Sequence, residues 1–235
     1  MREEQGREEI RTGWTNRVIK VSTLGGDYIF RFPKTPFWEE VIVREAKSTK
    51  FLSKYIKTAE QRLLWANGHP YTMHKCVPGR PLSEVFPLMS RHQRQEIAND
   101  IVCYLSSLQK IPSKGQRWER LSSFLARLAV STGIPGYDYS TFDELKRQEC
   151  TGNLVICHGD FNSDNIIVSE QDGRYKLAVV IDYAFCTLSS PFADIARICN
   201  RLPAIRKYIL TALIDMWDYV DANYRDYMRN DVLGI

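Results

Sequence analysis

The chain of 235 residues has no long apolar run, no C-x-x-C pair, no internal repeat and no low-complexity tract. The missing apolar run excludes a membrane-spanning helix. The residues from Met1 to Arg11 are charged and lack the apolar centre of a signal peptide, so the expected location is cytoplasmic. The cysteines, Cys76, Cys103, Cys150, Cys157, Cys186 and Cys199, are scattered, and several sit within apolar patterns. That spacing predicts reduced thiols in a core, neither disulfides nor a metal site. Net charge is only +4, and no basic stripe interleaves with aromatics. Nucleic acid and membrane are therefore not expected partners, and the sequence names no partner protein. What the chain does have is 44% apolar residues, enough for a substantial core in one domain or two small ones.

The most informative stretch runs from Leu154 to Val168. An apolar run, Leu154 to Cys157, delivers the polar loop His158-Gly-Asp-Phe-Asn-Ser-Asp-Asn165, and Ile166 to Val168 leaves it. A further apolar run, Leu177 to Ile181, ends in Asp182, with Gln171-Asp-Gly-Arg174 between as a hairpin-turn signal. An antiparallel hairpin built this way sets Asn165 beside Asp182, and Asp160 can join them. Two carboxylates and an amide are oxygen donors that suit magnesium better than zinc.

Taken in order, the chain opens with two alternating β-branched strands, Thr15 to Ser22 and Tyr28 to Phe32, joined at Gly25-Gly26. Lys20 and Arg31 are candidate inward-pointing cations. Pro36 opens a helix expected to reach about Tyr55, with Val41, Ala46, Phe51, Leu52 and Tyr55 on its apolar face and Glu45 in its middle. A second hairpin turns at Asn67-Gly68, and Pro70 puts part of its second strand on an edge. The segment Cys76 to Pro81 reads as irregular, a hinge between two parts. Ser90-x-x-Gln93 is a capping box for a helix striped by Ile97, Ile101, Tyr104, Leu105 and Leu108. Further helices are expected from Trp118 to Val130, after Thr141, from a Ser190-Pro191 start, and from Ala204 to about Met228 with Leu210, Leu213, Trp217, Val220, Tyr224 and Tyr227 on one face. The expectation is an α+β chain: residues 1–76 as a small β-rich N-terminal lobe and 77–235 as a mainly helical C-terminal lobe.

This order has a mechanical reading in phosphoryl transfer, where a protein mainly positions groups and neutralises charge. A carboxylate, Asp160, orients an acceptor hydroxyl and takes its proton. An amide and a second carboxylate, Asn165 and Asp182, hold magnesium. A strand cation, Arg31, grips phosphate and is braced by a helix glutamate, Glu45. The alternative for Arg31 and Glu45 is a plain exposed strand cation and a surface carboxylate. The Asp160 to Asn165 spacing equals that of a protein-kinase catalytic loop.

These residues, with Val180-Ile-Asp182, Pro191-Phe-Ala-Asp-Ile-Ala196, Gly13 to Val18, Tyr28 to Pro33, Arg44-Glu45 and Val77-Pro-Gly79, resemble the aminoglycoside phosphotransferase and choline kinase-like family. The N-terminal pattern is most similar to the branch that modifies the 2″-hydroxyl of aminoglycosides. The resemblance implies a bilobal protein-kinase-like fold, Asp160 as catalytic base, Asn165 and Asp182 as magnesium ligands, and backbone from Met73 through His74 to Cys76 pairing with the purine of ATP or GTP. Arginine stands at position 31 where family members usually carry lysine, giving a fork in place of a point charge. There is no G-x-G-x-x-G loop, and Asp182 is followed by Tyr183-Ala184. The chain is short in the helical part where the family builds its acceptor site. The implied acceptor is a small cationic molecule, foremost an aminoglycoside-type antibiotic. Choline, ethanolamine, another antibiotic, a sugar, a protein side chain, or a non-catalytic nucleotide-binding module remain as alternatives.

The closing segment carries Asp215, Asp218, Asp221, Asp226 and Asp231 among aromatics. Such a surface suits an ammonium group, and a solvated acidic helix face is the plainer reading. His158 reads as a hydrogen-bonding brace, Asp164 as a turn residue, and Asp194 as a loop support near a helix N-terminus. His69, His74 and His92 lack metal spacing.

Overall fold

The structure is a computed structural model, and it describes residues 4–10, 15–114, 117–132, 146–147, 149 and 153–216. The N-terminal part is a five-stranded antiparallel sheet in the order β1-β2-β3-β5-β4. Its strands are β1 (Glu4–Ile10), β2 (Asn16–Thr23), β3 (Gly26–Pro33), β4 (Gln61–Ala66) and β5 (His69–Lys75). The alternating runs anticipated the last four. Strand β1 was not expected, because its charged sequence lacks an apolar face, yet it pairs along β2 from Glu4↔Thr23 to Ile10↔Val18. Asn67 and Gly68 both take positive φ, 50° and 82°, as the β4–β5 turn requires. Pro70 pairs with Trp65 on one side only, since the β3 ladder stops at Thr72, so its missing N–H costs no ladder bond there.

Helix α1 (Pro36–Leu52) packs on this sheet, with proline opening its first turn. It ends three residues before the expected Tyr55, which lies outside it and is exposed; Val41, Ala46 and Leu52 are buried as expected. The segment after β5 corrects a second expectation. Within the hinge, Arg80–Pro81 forms a short strand β6 that pairs with Val168 and Ile167. Gly79 makes this approach possible: at φ 136° a Cβ would stand 2.5 Å from the Val168 carbonyl oxygen.

Beyond it come α2 (Leu82–Val85), α3 (Arg91–Gln109) and α4 (Leu121–Thr132). The capping box at the start of α3 is complete: Gln93 N–H donates to Ser90 Oγ at 3.3 Å, and Ser90 N–H donates to Gln93 Oε1 at 2.8 Å. Strand β7 (Val155–Cys157) leads into the polar loop and pairs with β10 (Thr187–Ser189). The hairpin of β8 (Ile166–Gln171) and β9 (Arg174–Val180) turns at Asp172-Gly173, both at positive φ. Helix α5 (Ala193–Arg201) begins at Ala193, later than the expected Ser190-Pro191 start. Ser190 closes a turn there, accepting the Ala193 N–H on its carbonyl at 3.0 Å. After a turn of 3-10 helix at Pro203–Ile205 comes α6 (Arg206–Asp215). Its buried side is Tyr208, Ile209 and Ala212, whereas Leu210, expected on the apolar face, is exposed. Leu213 of that face is partly buried against the main core, and its members from Trp217 on lie outside the described residues, as do Asp218, Asp221, Asp226 and Asp231 and all of the helix expected after Thr141 except Lys146, Arg147 and Glu149, which are helical.

The main core joins α3, the β8–β9 hairpin, α5 and α6 through Ile97, Ile101, Leu105, Ile156, Ile166, Val180, Ile198 and Ile209. Each such side chain contributes about 1.5–3 kcal/mol by leaving water. Exposed ion pairs such as Arg17–Glu9 are screened by solvent and add little, so burial fixes the frame. The described cysteines are all free, and Cys157, Cys186 and Cys199 are buried. Among the described residues no helix is long and apolar enough to cross a membrane.

Candidate active site

The polar loop is held in shape from three sides. Asp194, buried in the first turn of α5, accepts the backbone N–H of His158 at 2.8 Å and of Gly159 at 2.9 Å. Burial pushes its carboxyl above the ordinary aspartate range, and His158 with these N–H bonds works against that rise. His158 is itself fully buried. Its Nδ1 accepts the Asp160 N–H at 3.3 Å, which leaves Nε2–H to donate to the Ile181 carbonyl at 2.9 Å. The ring thus ties the loop to the end of β9, the bracing role its sequence position suggested. Gly159 takes φ 79°, and a Cβ there would fall 2.1 Å from the Phe185 carbonyl oxygen. Only glycine lets the loop pass so near the segment after Asp182. Below, Phe161 is buried against Tyr104, whose hydroxyl is hydrogen-bonded to that of Tyr183. Asp164 accepts a hydrogen bond from Ser83 Oγ at 2.5 Å, so it anchors the loop to α2.

The hairpin then does what its register dictates. Ile166 opposes Val180, and the Ile181 N–H donates to the Asn165 carbonyl at 2.9 Å. Asn165 and Asp182 are brought together at the mouth of the hairpin. Asn165 Nδ2 donates to the Asp160 carbonyl at 2.9 Å and lies 3.3 Å from Asp160 Oδ2. Its amide oxygen is left as the outward donor. Asp182 sits in the left-handed region at φ 64° and ψ 68°, which turns its side chain away from the strand direction. Aspartate tolerates that conformation better than most residues.

Arg31, on β3, reaches across to this point. Its Nη1 meets Glu45 Oε1 of α1 at 2.7 Å and its Nη2 meets Asp182 Oδ1 at 3.1 Å. Burial pulls the guanidinium's pKa down, but Glu45 and then Asp182 outweigh it, leaving the group above its ordinary value. Glu45 is 1% exposed, so the plain surface reading of this pair does not hold. Gln61 Nε2 of β4 donates to the same Glu45 oxygen at 2.9 Å. Lys20 shares the face of Arg31 but is held at the sheet's end by Asp27 Oδ2 at 2.7 Å.

Met73 and His74 lie on β5 opposite Phe30 and Ile29, and Cys76 follows the strand. The Cys76 N–H is engaged, donating to the Asp27 carbonyl at 2.8 Å. Burial lowers the pKa of His74, with the Arg31 charge adding to the effect against a hydrogen bond to the Lys75 carbonyl.

Several contributors escaped the sequence reading. Arg197 of α5 points both Nε, at 3.1 Å, and Nη2, at 2.6 Å, at Asp160 Oδ1. Arg44 of α1 pairs with Glu119 and donates to the Ala184 carbonyl at 2.8 Å. Arg127 of α4 bridges Glu119 and Glu40, each at 2.9 Å. Together they tie α1 to the segment just past Asp182. One signal for Arg197 was visible: it stands three residues after Asp194, on the same helix face.

No bound metal is needed to judge the fit of magnesium. The Asn165 nitrogen is committed to Asp160, so its oxygen is free, and Asp182 keeps one carboxylate oxygen beyond Arg31. Two hard oxygen donors match magnesium, which takes its remaining ligands from phosphate and water. Among the described residues no group of three or more His, Cys, Asp or Glu side chains could hold a metal alone.

A small antiparallel sheet with one braced helix, set against a helical part whose hairpin carries Asp160, Asn165 and Asp182, defines a kinase-like phosphotransferase fold. The model of the phosphotransferase enzyme family matches residues 6–222, and the chain belongs to that family. Solved structures similar to it include an aminoglycoside-3′-phosphotransferase of type VIII, at TM-score 0.71 and 18% identity over 100% of this chain and 94% of the other. Another is the GDP and kanamycin complex of an aminoglycoside 2″-phosphotransferase, at TM-score 0.68 and 18% identity over 95% of this chain and 81% of the other. A third is the macrolide 2′-phosphotransferase of Brachybacterium faecium, at TM-score 0.62 and 14% identity over 99% of this chain and 86% of the other. No curated protein matches the chain in sequence.

Proposed function

We propose that the protein transfers the γ-phosphoryl group of ATP or GTP to a hydroxyl of a small, cationic acceptor of the aminoglycoside antibiotic class, as a cytoplasmic resistance enzyme. The observation that carries this reading is the linked cluster of Asp160, Asn165, Asp182, Arg31 and Glu45. In the proposed reaction the acceptor hydroxyl donates its hydrogen bond to Asp160. The acceptor oxygen forms a bond to the γ-phosphorus as the bond to the β,γ-bridging oxygen breaks. The electron pair leaves on the nucleoside diphosphate, and Asp160 holds the proton until it passes to solvent. Magnesium, when bound, neutralises charge on the phosphate oxygens. Asn165 and Asp182 would hold it, and Arg31, kept in place by Glu45, offers a cation to the phosphates.

The boundary between the nucleotide part and the acceptor part is set at residues 76 and 77. Since the Cys76 N–H is taken by Asp27, purine pairing falls to the adjoining backbone. The acceptor class rests on the resemblance of the N-terminal pattern and on the kanamycin complex among the similar folds. The test is a nucleotide-consumption screen with ATP and GTP against aminoglycosides, choline-like amines and sugars. Consumption driven by an aminoglycoside supports the proposal; consumption driven only by another class reassigns the acceptor.

A further inference from the structure

Asp160 can use only part of its carboxylate. Arg197 aims two N–H groups at Oδ1, at 3.1 and 2.6 Å, and so fills both lone pairs of that oxygen. Oδ2 faces Asn165 Nδ2 at 3.3 Å and keeps one lone pair. Arg197 rides on the same helix as Asp194, and Asp194 holds the backbone of His158 and Gly159 at 2.8 and 2.9 Å. Three residues apart on a helix, the two side chains share a face. One turn of α5 therefore grips the loop twice, once by its backbone and once by the carboxylate at its centre. The main core seats that turn, because Ile198 is fully buried next to Arg197.

We infer that Arg197 is a positioning residue that fixes the rotamer of Asp160 and leaves Oδ2 as the oxygen that receives the acceptor hydroxyl. This deepens the proposed phosphoryl transfer and rests on it. The guanidinium does not touch the reacting atoms; it acts through Asp160. Its charge is spent on that carboxylate, so the pair presents no net charge to a cationic acceptor. Without Arg197, only the long Asn165 contact restrains the Asp160 carboxylate, and Oδ1 offers two lone pairs to water or to an acceptor amine.

The experiment compares Arg197→Met and Arg197→Lys with wild type for nucleotide binding, kcat and KM, and adds free guanidinium to Arg197→Ala. Arg197→Met is expected to lose about ten- to hundredfold in kcat, within the range set by positioned acid–base groups, while magnesium–nucleotide affinity holds. Lysine, and guanidinium ion in the alanine variant, should each recover part of the loss. In an Asp160→Asn background, Arg197→Met should add no further loss. Arg197→Met within twofold of wild type, or a loss of the same size in the Asp160→Asn background, overturns the inference. Where wild type phosphorylates no acceptor, the proposed function fails separately. The same comparison then runs on nucleotide hydrolysis, where water stands in for the acceptor and the same two outcomes decide.

Discussion

Asn165 and Asp182 stand side by side because the backbone between them is paired: the Asn165 carbonyl accepts the Ile181 N–H at 2.9 Å. Asp182 then turns into the left-handed region and meets Arg31 at 3.1 Å. The candidate metal donors are thus set by a hairpin register, and a one-residue slip would send one of them to the opposite face.

Replacing Asp182 by alanine removes one of two oxygen donors and one partner of Arg31. Nucleotide affinity without magnesium should change little, and the gain on adding magnesium should vanish. Calorimetric titration with and without the ion checks this; an unchanged magnesium dependence would remove Asp182 from the metal site.

Arg31 and Glu45 form a pair in which Glu45 is 1% exposed. Arg31→Met strands that carboxylate, and breaking a buried pair in this way costs about 3–5 kcal/mol. Urea unfolding should show the loss. Replacing both partners, as Arg31→Met with Glu45→Met, should return much of the stability without returning activity. A single variant as stable as wild type would show that the pair is not buried in solution.

The His74 imidazole has its pKa lowered by burial, so in the folded state it stays neutral where the unfolded chain, titrating near about 6.5, takes a proton. A depressed folded value gives stability that is present above about pH 6.5 and is lost as pH falls through the window below it. Wild type should therefore lose more stability than His74→Gln between about pH 7.5 and 5.5. Chemical unfolding at the two pH values checks it, and equal losses would contradict a lowered pKa for the half-buried His74.

Three local signals matched the structure, while the Ser190-Pro191 start did not. Asn67-Gly68, Asp172-Gly173 and the Ser90–Gln93 box are each decided by a few neighbouring atoms, and all formed as expected. The convergence of Asp160, Asn165 and Asp182 was legible because one hairpin register governs it. Strand β1 was hidden, since it earns its place through ladder bonds to β2 and has little apolar patterning. At the early end of α1 the Lys54 and Tyr55 N–H groups turn to the Phe51 and Leu52 carbonyls, and the late start of α5 follows the Ser190 turn. Arg197, Gln61 and the Arg44–Glu119–Arg127 chain act across elements far apart in sequence, and no spacing rule encodes such contacts.

The central claim is that Asp160 serves phosphoryl transfer to a hydroxyl while Asn165, Asp182 and Arg31 serve the nucleotide. The most direct measurement is Asp160→Asn, assayed for magnesium–nucleotide binding and for acceptor phosphorylation under single-turnover conditions. The account predicts binding close to wild type with transfer slowed by about a hundredfold or more. Transfer at the wild-type rate in that variant would contradict it.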